Sequence, residues 1–473
     1  MTTKAFIFLA VLTIAGPAVA APRGLPRPVV EALAAARVPA VAVGAIVEPV
    51  DGGSAVVANQ AGVAMNPASV MKLVTSFAAL DLLGPAFRFH TDFLSAASLA
   101  DGVLDGDLVI RGGGDPKLTY ERLWQAAHQL RARGVREIRG DIVIDRAYFA
   151  AGPTFDPGRF DNEPRRGYNV GADAFLVNFG AVQFTFTPEG EGVRVSAEPD
   201  LPNVEIASRV RTAPGPCDAW RKDLRYDVQP NGMLALATFS GTIPADCGVR
   251  RLALAVLDPT RFSESVLRWV WSEAGGTLRG KVRAGATPVD ARLLYREDSE
   301  PLAVLVRDMN KFSNNVMARQ LFLALSSEKA GMPGNEAASA ELVRGWLAER
   351  HIDATGLRID NGAGLSREDR ISPATLASLL RAVWQSPLMP EVASSLPIFA
   401  TDGTLKGRPA SGAAGHAHLK GGTLNGVQSV AGYVVDRHGK RWILVMMVNH
   451  PNGNGAQAAI DALVQWTFEG AGR

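Results

Sequence analysis

Ser69 and Lys72 form a Ser-x-x-Lys pair at the start of a predominantly apolar stretch, residues 69–83. If this stretch is a helix, the spacing of three residues places the serine hydroxyl and the lysine amine on the same face. A lysine held away from water can lose its proton near neutral pH and then accept the proton of the serine. The pair therefore predicts a serine nucleophile with a lysine as its base.

The spacing alone is weakly specific, because Ser326 and Lys329 repeat it. That second pair lies at the polar tail of a predicted helix, where a lysine reaches water. Lys72 instead lies in an apolar helix, where an unpaired charge is costly. The surroundings therefore favour Ser69 and Lys72 as the reactive pair.

Ser313 and Asn315 lie in the sequence Ser-Asn-Asn, just before a predicted helix. Both carry short, fixed polar groups. The Ser313 hydroxyl could relay a proton, and the Asn315 amide could orient Lys72 or a substrate carbonyl. Taken alone, the cluster is more typical of a helix N-cap, and the two roles are compatible.

The sequence Lys420-Gly421-Gly422-Thr423 begins a predicted C-terminal strand. Glycines at a sheet edge allow a substrate backbone to pair as an added strand. Lys420 could hold a carboxylate, and the backbone N–H groups of Thr423 and Ser69 could form an oxyanion hole. Taken alone, the stretch is more typical of an edge strand whose lysine opposes aggregation.

The elements that must position these residues predict an α+β fold. Strands are predicted near both ends of the chain, and they favour one antiparallel sheet assembled from both ends and covered by helices. Short strands punctuated by Gly and Pro fill residues 90–290, which indicates an inserted β-rich region. The other predicted elements are a hairpin of 39–47 and 54–60, helices at 300–325, 337–350, 372–385 and 455–469, and strands at 418–435 and 441–448.

Composition narrows the function class. With 49 Lys+Arg against 47 Asp+Glu, the net charge of +2 does not predict a nucleic-acid partner. Residues 1–20 are typical of a secretory signal peptide, so we expect an exported protein with at most peripheral membrane contact. Cys217 and Cys247 could pair in an oxidising compartment, but sequence leaves this open. No pattern predicts a metal site or a cofactor.

Together the three clusters match the Ser-x-x-Lys, Ser-x-Asn and Lys-Thr-Gly set of penicillin-recognising acyl-serine enzymes. The chain resembles the D-alanyl-D-alanine carboxypeptidase/endopeptidase family of penicillin-binding protein 4 type, the low-molecular-mass class C enzymes. Further matching stretches are 84–89, 106–116, 140–145, 362–367, 396–398 and 402–405.

The resemblance implies a β-lactamase/transpeptidase-like domain, residues 21–88 and 292–473, split by a large β-rich insertion of two nested domains. On this basis we expect domain II at 89–98 and 171–291, and domain III at 99–170. It also implies a periplasmic location and peptidoglycan stem peptides as substrate. A homodimer stays an open alternative.

The resemblance further implies that Ser69 attacks the carbonyl of a terminal D-Ala-D-Ala, with Lys72 as base and Ser313 assisting proton transfer. β-Lactams would acylate Ser69 and leave slowly. The sequence departs from the family at Gly421, where the family has Thr. Thr423 lies on the same strand face and could substitute. If it does not, we expect weaker carboxypeptidase activity on free C-termini, with endopeptidase activity less affected.

Asp161 and Glu163 are alternatives for an acidic group that contacts the diamino acid of the stem peptide in the family. The surrounding residues match the family pattern poorly, so neither is placed in the site. Arg367 fits a structural turn as well as a substrate contact. Two other functions stay open, a β-lactamase or esterase with the same acylation chemistry, and a catalytically weak cell-wall binding module.

Overall fold

The computed structural model describes residues 24–150, 156–217, 220–231, 234–331 and 333–471. The predicted signal peptide lies outside the described residues. In the described ranges, the helices are α1 (Arg27–Ala35), α2 (Lys72–Leu83), α3 (Tyr120–Ala132), α4 (Trp220–Asp223), α5 (Pro259–Glu273), α6 (Leu302–Phe312), α7 (Asn315–Ala330), α8 (Glu336–Glu349), α9 (Pro373–Gln385), α10 (Met389–Ser395) and α11 (Gln457–Phe468).

The strands of the same ranges are β1 (Val43–Pro49), β2 (Val57–Asn59), β3 (His90–Ser95), β4 (Leu99–Ala100), β5 (Val103–Leu104), β6 (Leu108–Gly112), β7 (Glu137–Ile138), β8 (Ile142–Asp145), β9 (Val182–Glu189), β10 (Gly192–Glu198), β11 (Val204–Ser208), β12 (Arg211–Thr212), β13 (Leu224–Asn231), β14 (Leu234–Ile243), β15 (Arg250–Leu254), β16 (Thr277–Leu278), β17 (Val282–Ala284), β18 (Arg292–Asp298), β19 (Ala417–Leu424), β20 (Val427–Val435) and β21 (Arg441–Asn449).

One antiparallel sheet joins the two ends of the chain, in the order β19-β20-β21-β1-β2. The register pairs Val43 with Val448 and Lys420 with Ala431. Strands β20 and β21 are buried along almost their whole length, because helices cover both faces of the sheet. The predicted α+β architecture is confirmed.

Alternate side chains of the central strands enter two separate cores. Ile443, Val445 and Met447 pack with α2, α6, α7, α8 and α9 on one face. Leu444 and Met446 pack with α1 and α11 on the other. Helix α2 lies in the first of these cores, and its first nine residues are all buried. A turn of 3-10 helix, Ala68–Met71, precedes it. The predicted helix at 69–83 is therefore α-helical only from Lys72.

Three sheets and the helices α3, α4 and α5 fill the stretch between α2 and α6. The Gly- and Pro-punctuated pattern predicted the strands but not the helices. Two of them, β17-β8-β6-β3-β18 and β16-β7-β5-β4, interleave strands from residues 90–145 with strands from 277–298. The seven-stranded sheet contains β9 to β15. Cys217 and Cys247 form a disulfide that closes across this last sheet.

This pairing differs from the expected division of the insertion. β3 pairs with β6 from Thr91↔Gly112 to Leu94↔Val109, so the boundary expected between residues 98 and 99 would separate two hydrogen-bonded strands. The strand pairing instead groups residues 90–145 with 277–298 and leaves 182–254 as the nested sheet. The expected bounds of domains II and III stay a prediction, because strand pairing alone does not define domain limits.

Two predicted elements are each divided in the structure. The helix expected at 300–325 is α6 and α7, separated at Ser313, which has a left-handed backbone with φ 55° and ψ 39°. The strand expected at 418–435 is the hairpin β19–β20, which turns at Asn425-Gly426. Gly426 has φ 77°, and Asn-Gly is the dipeptide that such turns favour. Along the described part of the chain, no helix is both long enough and apolar enough to cross a bilayer.

Candidate active site

Lys72 is fully buried, and three oxygen atoms surround its amine. Nζ lies 3.1 Å from Ser69 Oγ, donates to Asn315 Oδ1 over 2.7 Å, and donates to the backbone carbonyl of Ala363. A neutral lysine amine has two N–H groups and one lone pair. Since the amide and carbonyl oxygens can only accept, they take the two N–H groups and leave the lone pair facing the Ser69 hydroxyl. This is the arrangement that a general base requires.

Burial also favours the neutral form of this amine. Desolvation, reinforced by the positive charges of Lys420 and Arg319, holds the pKa of Lys72 well below its usual range, while Asp369 opposes the shift. The geometry and the electrostatic surroundings of Lys72 therefore both favour a neutral amine.

The residues just before Ser69 fix the conformation of the turn that carries it. Ala68 has a left-handed φ of 46°, and its N–H donates to Asn66 Oδ1 over 2.9 Å. Asn66 in turn donates from Nδ2 to Ser366 O (2.8 Å). A non-glycine residue with positive φ persists only where its surroundings fix it. These contacts hold the nucleophile turn in one conformation.

Two glycines approach this turn more closely than any side chain would allow. A Cβ at Gly422 would lie 2.8 Å from Ser69 N, and a Cβ at Gly364 would lie 1.9 Å from Ala68 O. Gly364 also has a φ of 74°, which favours glycine. Ser69 therefore lies between the edge strand β19 and the loop that carries Ala363.

Ser313 lies between α6 and α7, and its Oγ accepts a hydrogen bond of 2.9 Å from Lys420 Nζ. The cap of α7 is Asn314, whose Oδ1 accepts from Met317 N, so the capping role falls on the middle residue of the cluster. Asn315, the first residue of α7, is then free to face Lys72. The break between the two helices thus brings both predicted polar groups to the lysines.

Lys420 is fully buried and also donates to Gly421 O over 2.7 Å. Its burial lowers its pKa to about 7. Thr423 differs from the other predicted residues: its side chain is exposed, and its Oγ1 donates to Gln428 Oε1 (3.2 Å). The structure therefore brings Ser69, Lys72, Asn315, Ser313 and Lys420 together with the backbone of Gly422, and pairs the Thr423 hydroxyl with Gln428 instead.

Sequence reasoning missed three contributors, the Ala363 carbonyl and the buried Arg319 and Asp369. The signal was the Gly-x-Gly of 362–364, which marks a close backbone approach but does not say to what. Arg319 donates to the carbonyls of Tyr168 (3.2 Å) and Val170 (2.6 Å), and so ties α7 to the segment of the insertion between β8 and β9.

A cavity of about 870 Å³ adjoins this loop, with Phe160, Arg319, Leu365 and Arg367 among its lining residues. Arg367 lies over the Phe160 ring, 5.0 Å from its centroid, and donates to Asn425 O (2.8 Å). Asp161 accepts from Tyr168 and Asn169, and Glu163 accepts from Tyr226, so both carboxylates have partners within the insertion. In the described ranges, no three His, Cys, Asp or Glu side chains group together as metal ligands would.

The chain is similar to proteins of known activity over most of its length. It is 28% identical over 445 residues to a D-alanyl-D-alanine carboxypeptidase of Actinomadura sp. (strain R39), covering 91% of this chain and 81% of the relative. It superposes on the crystal structure of penicillin binding protein 4 from Haemophilus influenzae with a TM-score of 0.75 at 23% identity, covering 92% and 99% of the two chains. A structure of that protein complexed with a β-lactam gives a TM-score of 0.68 at 22% identity, covering 89% and 96%.

A family model matches residues 27–469, which span the central sheet, the insertion and every residue of the site described above. The chain therefore belongs to the D-Ala-D-Ala carboxypeptidase 3 (S13) family.

Proposed function

We propose that the chain is a serine D,D-peptidase that hydrolyses both D-Ala-D-Ala termini and D-alanyl cross-links of peptidoglycan stem peptides through an acyl-enzyme on Ser69. The observation that carries the proposal is the buried Lys72 amine, which lies 3.1 Å from Ser69 Oγ with its two N–H groups already taken by acceptors. The same reaction on a β-lactam would leave a slowly hydrolysed adduct.

In the first step Ser69 Oγ attacks the carbonyl carbon of the penultimate D-Ala, and Lys72 takes the hydroxyl proton. In this proposal, the backbone N–H groups of Ser69 and Thr423 stabilise the developing oxyanion. The close approach of Gly422 to Ser69 N supports this, because Thr423 is the next residue of the strand.

The leaving D-Ala needs a proton on its nitrogen and a partner for its carboxylate. Ser313 Oγ accepts from Lys420, so its own O–H can donate to the departing nitrogen. Lys72 then passes the proton that it took from Ser69 to Ser313 Oγ. Lys420, positively charged below its pKa of about 7, attracts the terminal carboxylate. The C–N bond breaks, D-Ala leaves, and water then hydrolyses the ester on Ser69.

We propose that the substrates are peptidoglycan stem peptides and that the chain acts in the periplasm after removal of the signal peptide. The naming of the Actinomadura relative as a D-alanyl-D-alanine carboxypeptidase and the β-lactam complex of the Haemophilus protein support the substrate assignment. The location rests on the signal-peptide pattern of residues 1–20.

The test is covalent labelling with a fluorescent penicillin. We expect the wild-type protein to take one label that persists for minutes, and Ser69→Ala to take none, because the ester oxygen is missing. Ser326→Ala is the matched control: it removes the serine of the second Ser-x-x-Lys pair, whose hydroxyl donates to Leu323 O, and it should keep the label.

Three other outcomes would each contradict part of the proposal. Label retained by Ser69→Ala would move the nucleophile elsewhere. Rapid release of hydrolysed penicillin would favour a β-lactamase. A folded wild-type protein that takes no label would favour a cell-wall binding module.

A further inference from the structure

Asp369 is a fully buried carboxyl group that the mechanism above does not use. Its Oδ1 accepts a hydrogen bond of 2.8 Å from Asp360 N. Its Oδ2 is also buried and has no hydrogen-bond partner among the residues that the structure describes. An unsatisfied buried carboxyl oxygen is costly, so its presence next to a reactive site requires a compensating role.

The Asp369–Asp360 hydrogen bond joins the two ends of the loop 360–369. This loop contacts α2 and the 3-10 turn before it at three points. The Ala363 carbonyl accepts from Lys72 Nζ. The Gly362 carbonyl accepts from Thr75 Oγ1 (2.7 Å). The third contact is the approach of Gly364 to the Ala68 carbonyl. Asp369 thus closes the loop whose carbonyl orients the proposed base.

The negative charge of Asp369 also acts on Lys72, one of several buried basic side chains. Lys72 is influenced by the positive charges of Lys420 and Arg319 and by the negative charge of Asp369. Asp369 itself is influenced by Asp360, Lys72 and Arg370. Burial raises the pKa of Asp369 to about 7, with the neighbouring Asp360 adding to the rise and Lys72 and Arg370 opposing it.

We propose that Asp369 is a positioning residue of the acyl-transfer site, which closes the loop carrying the Ala363 acceptor and whose ionised form acts on buried Lys72 as a negative charge. The proposal rests on the function proposed above. Ionised Asp369 favours the protonated form of Lys72 and so opposes formation of the neutral base. When the carboxyl group takes a proton as the pH falls, this opposition weakens, and Lys72 stays neutral over a wider range of pH.

The test is the pH dependence of the second-order rate constant for acylation by a fluorescent penicillin, in the full-length mature protein. Its acidic limb reports the ionisation of the base in the free enzyme. Asp369→Asn keeps an oxygen for the Asp360 N–H and removes the charge, so we expect the acidic limb to move to lower pH by roughly half a unit or more. Asp353→Asn is the matched control: it makes the same change in an exposed carboxylate that likewise closes a short loop, by accepting from Thr355 N, and it should leave the limb in place.

An acidic limb that does not move in folded Asp369→Asn would overturn the proposal, as would a shift of equal size in Asp353→Asn. A merely structural role would lower the rate at every pH without moving the limb. If Asp369→Asn does not fold, Asp369→Ser provides the same test with a smaller uncharged acceptor. Labelling of the wild type separates the two proposals: no label contradicts the acyl-enzyme itself, whereas a label with an unmoved limb contradicts only the role of Asp369.

Discussion

Gly421 and Gly422 are neighbours in β19, but a side chain would meet very different surroundings at the two positions. A Cβ at Gly422 would lie 2.4 Å from Ser429 Oγ and 2.8 Å from both Pro67 O and Ser69 N. At Gly421 the nearest atom would be the Leu405 Cδ2, at 3.4 Å. One glycine is therefore required by the packing of the nucleophile turn, and the other has room for a side chain.

We predict that Gly422→Ala lowers the rate of acylation by a fluorescent penicillin about 100-fold, because the added methyl group displaces the backbone of Ser69 from its reactive position. Gly421→Thr is the matched substitution. It should keep acylation and raise carboxypeptidase activity on a soluble D-Ala-D-Ala peptide, because a hydroxyl next to Lys420 adds a donor for the terminal carboxylate. Unchanged carboxypeptidase kinetics in Gly421→Thr would contradict the importance we give to the missing threonine.

The side chains of the site could be predicted from the sequence, but their backbone partners could not. Ser69, Lys72, Ser313, Asn315 and Lys420 were all predicted, because each has a functional group that defines its chemistry. The Ala363 carbonyl is a group that every residue has, and only the fold selects it. Asp369 was missed for a related reason: its neighbours Glu368 and Arg370 are polar, and such a stretch predicts exposure.

At the scale of the elements, the junction between α6 and α7 decides whether Ser313 faces Lys420. Ser313 has a left-handed backbone, in which a Cβ costs about 1–2 kcal/mol relative to glycine. A continuous helix over 302–330 would instead have kept Ser313 within the helical repeat. The site therefore depends on a local conformation that serine does not prefer.

We predict that Ser313→Gly and Ser313→Ala lose acylation to a similar extent, because both lack the hydroxyl, while their stabilities diverge. The glycine variant should be more stable than the alanine variant by about 1 kcal/mol, since only alanine keeps a Cβ in the left-handed region. Urea unfolding of the two proteins measures the difference. Equal stabilities would mean that the junction relaxes to another conformation in the variants.

The same junction shows how far the elements could be predicted. The apolar periodicity of 300–325 continues across the break, because α6 and α7 both pack on the same core, so periodicity alone predicts one helix. The hairpin at Asn425-Gly426 was predictable from its turn dipeptide, but the apolar residues on either side favoured one long strand. Helices α1, α3, α4, α5 and α10 were not predicted at all. Helices α3, α4 and α5 lie in the stretch 90–290, where the Gly- and Pro-punctuated pattern indicated strands only.

At the scale of the whole molecule, the insertion is anchored to the catalytic half through α7. Gln320 is fully buried: its amide donates to Asp173 O (2.8 Å) and Gly114 O (3.3 Å) and accepts from Asp173 N (2.8 Å). Arg319, the preceding residue, holds the carbonyls of Tyr168 and Val170. Composition predicted an inserted β-rich region, but these long-range contacts depend on sheet pairing that short strands do not specify.

The disulfide joins two connecting segments of the nested sheet: Cys217 precedes α4, and Cys247 follows β14. It closes a stretch of 30 residues that includes β13 and β14, and Cys247 is 9% exposed. A cross-link of that length stabilises a fold by about 3–4 kcal/mol, chiefly by restricting the unfolded chain.

We therefore predict that the double substitution Cys217→Ala and Cys247→Ala lowers the free energy of unfolding of the inserted unit by about that amount, measured by urea unfolding, and leaves the rate of acylation unchanged. The wild-type protein in a reducing agent is a second route to the same comparison. Acylation should be unaffected because α2, α7 and β19 position the reactive groups, and none of these elements belongs to the nested sheet. A folded double variant with impaired acylation would show instead that the nested sheet transmits its stability through Arg319 and Gln320 to the lysine pair.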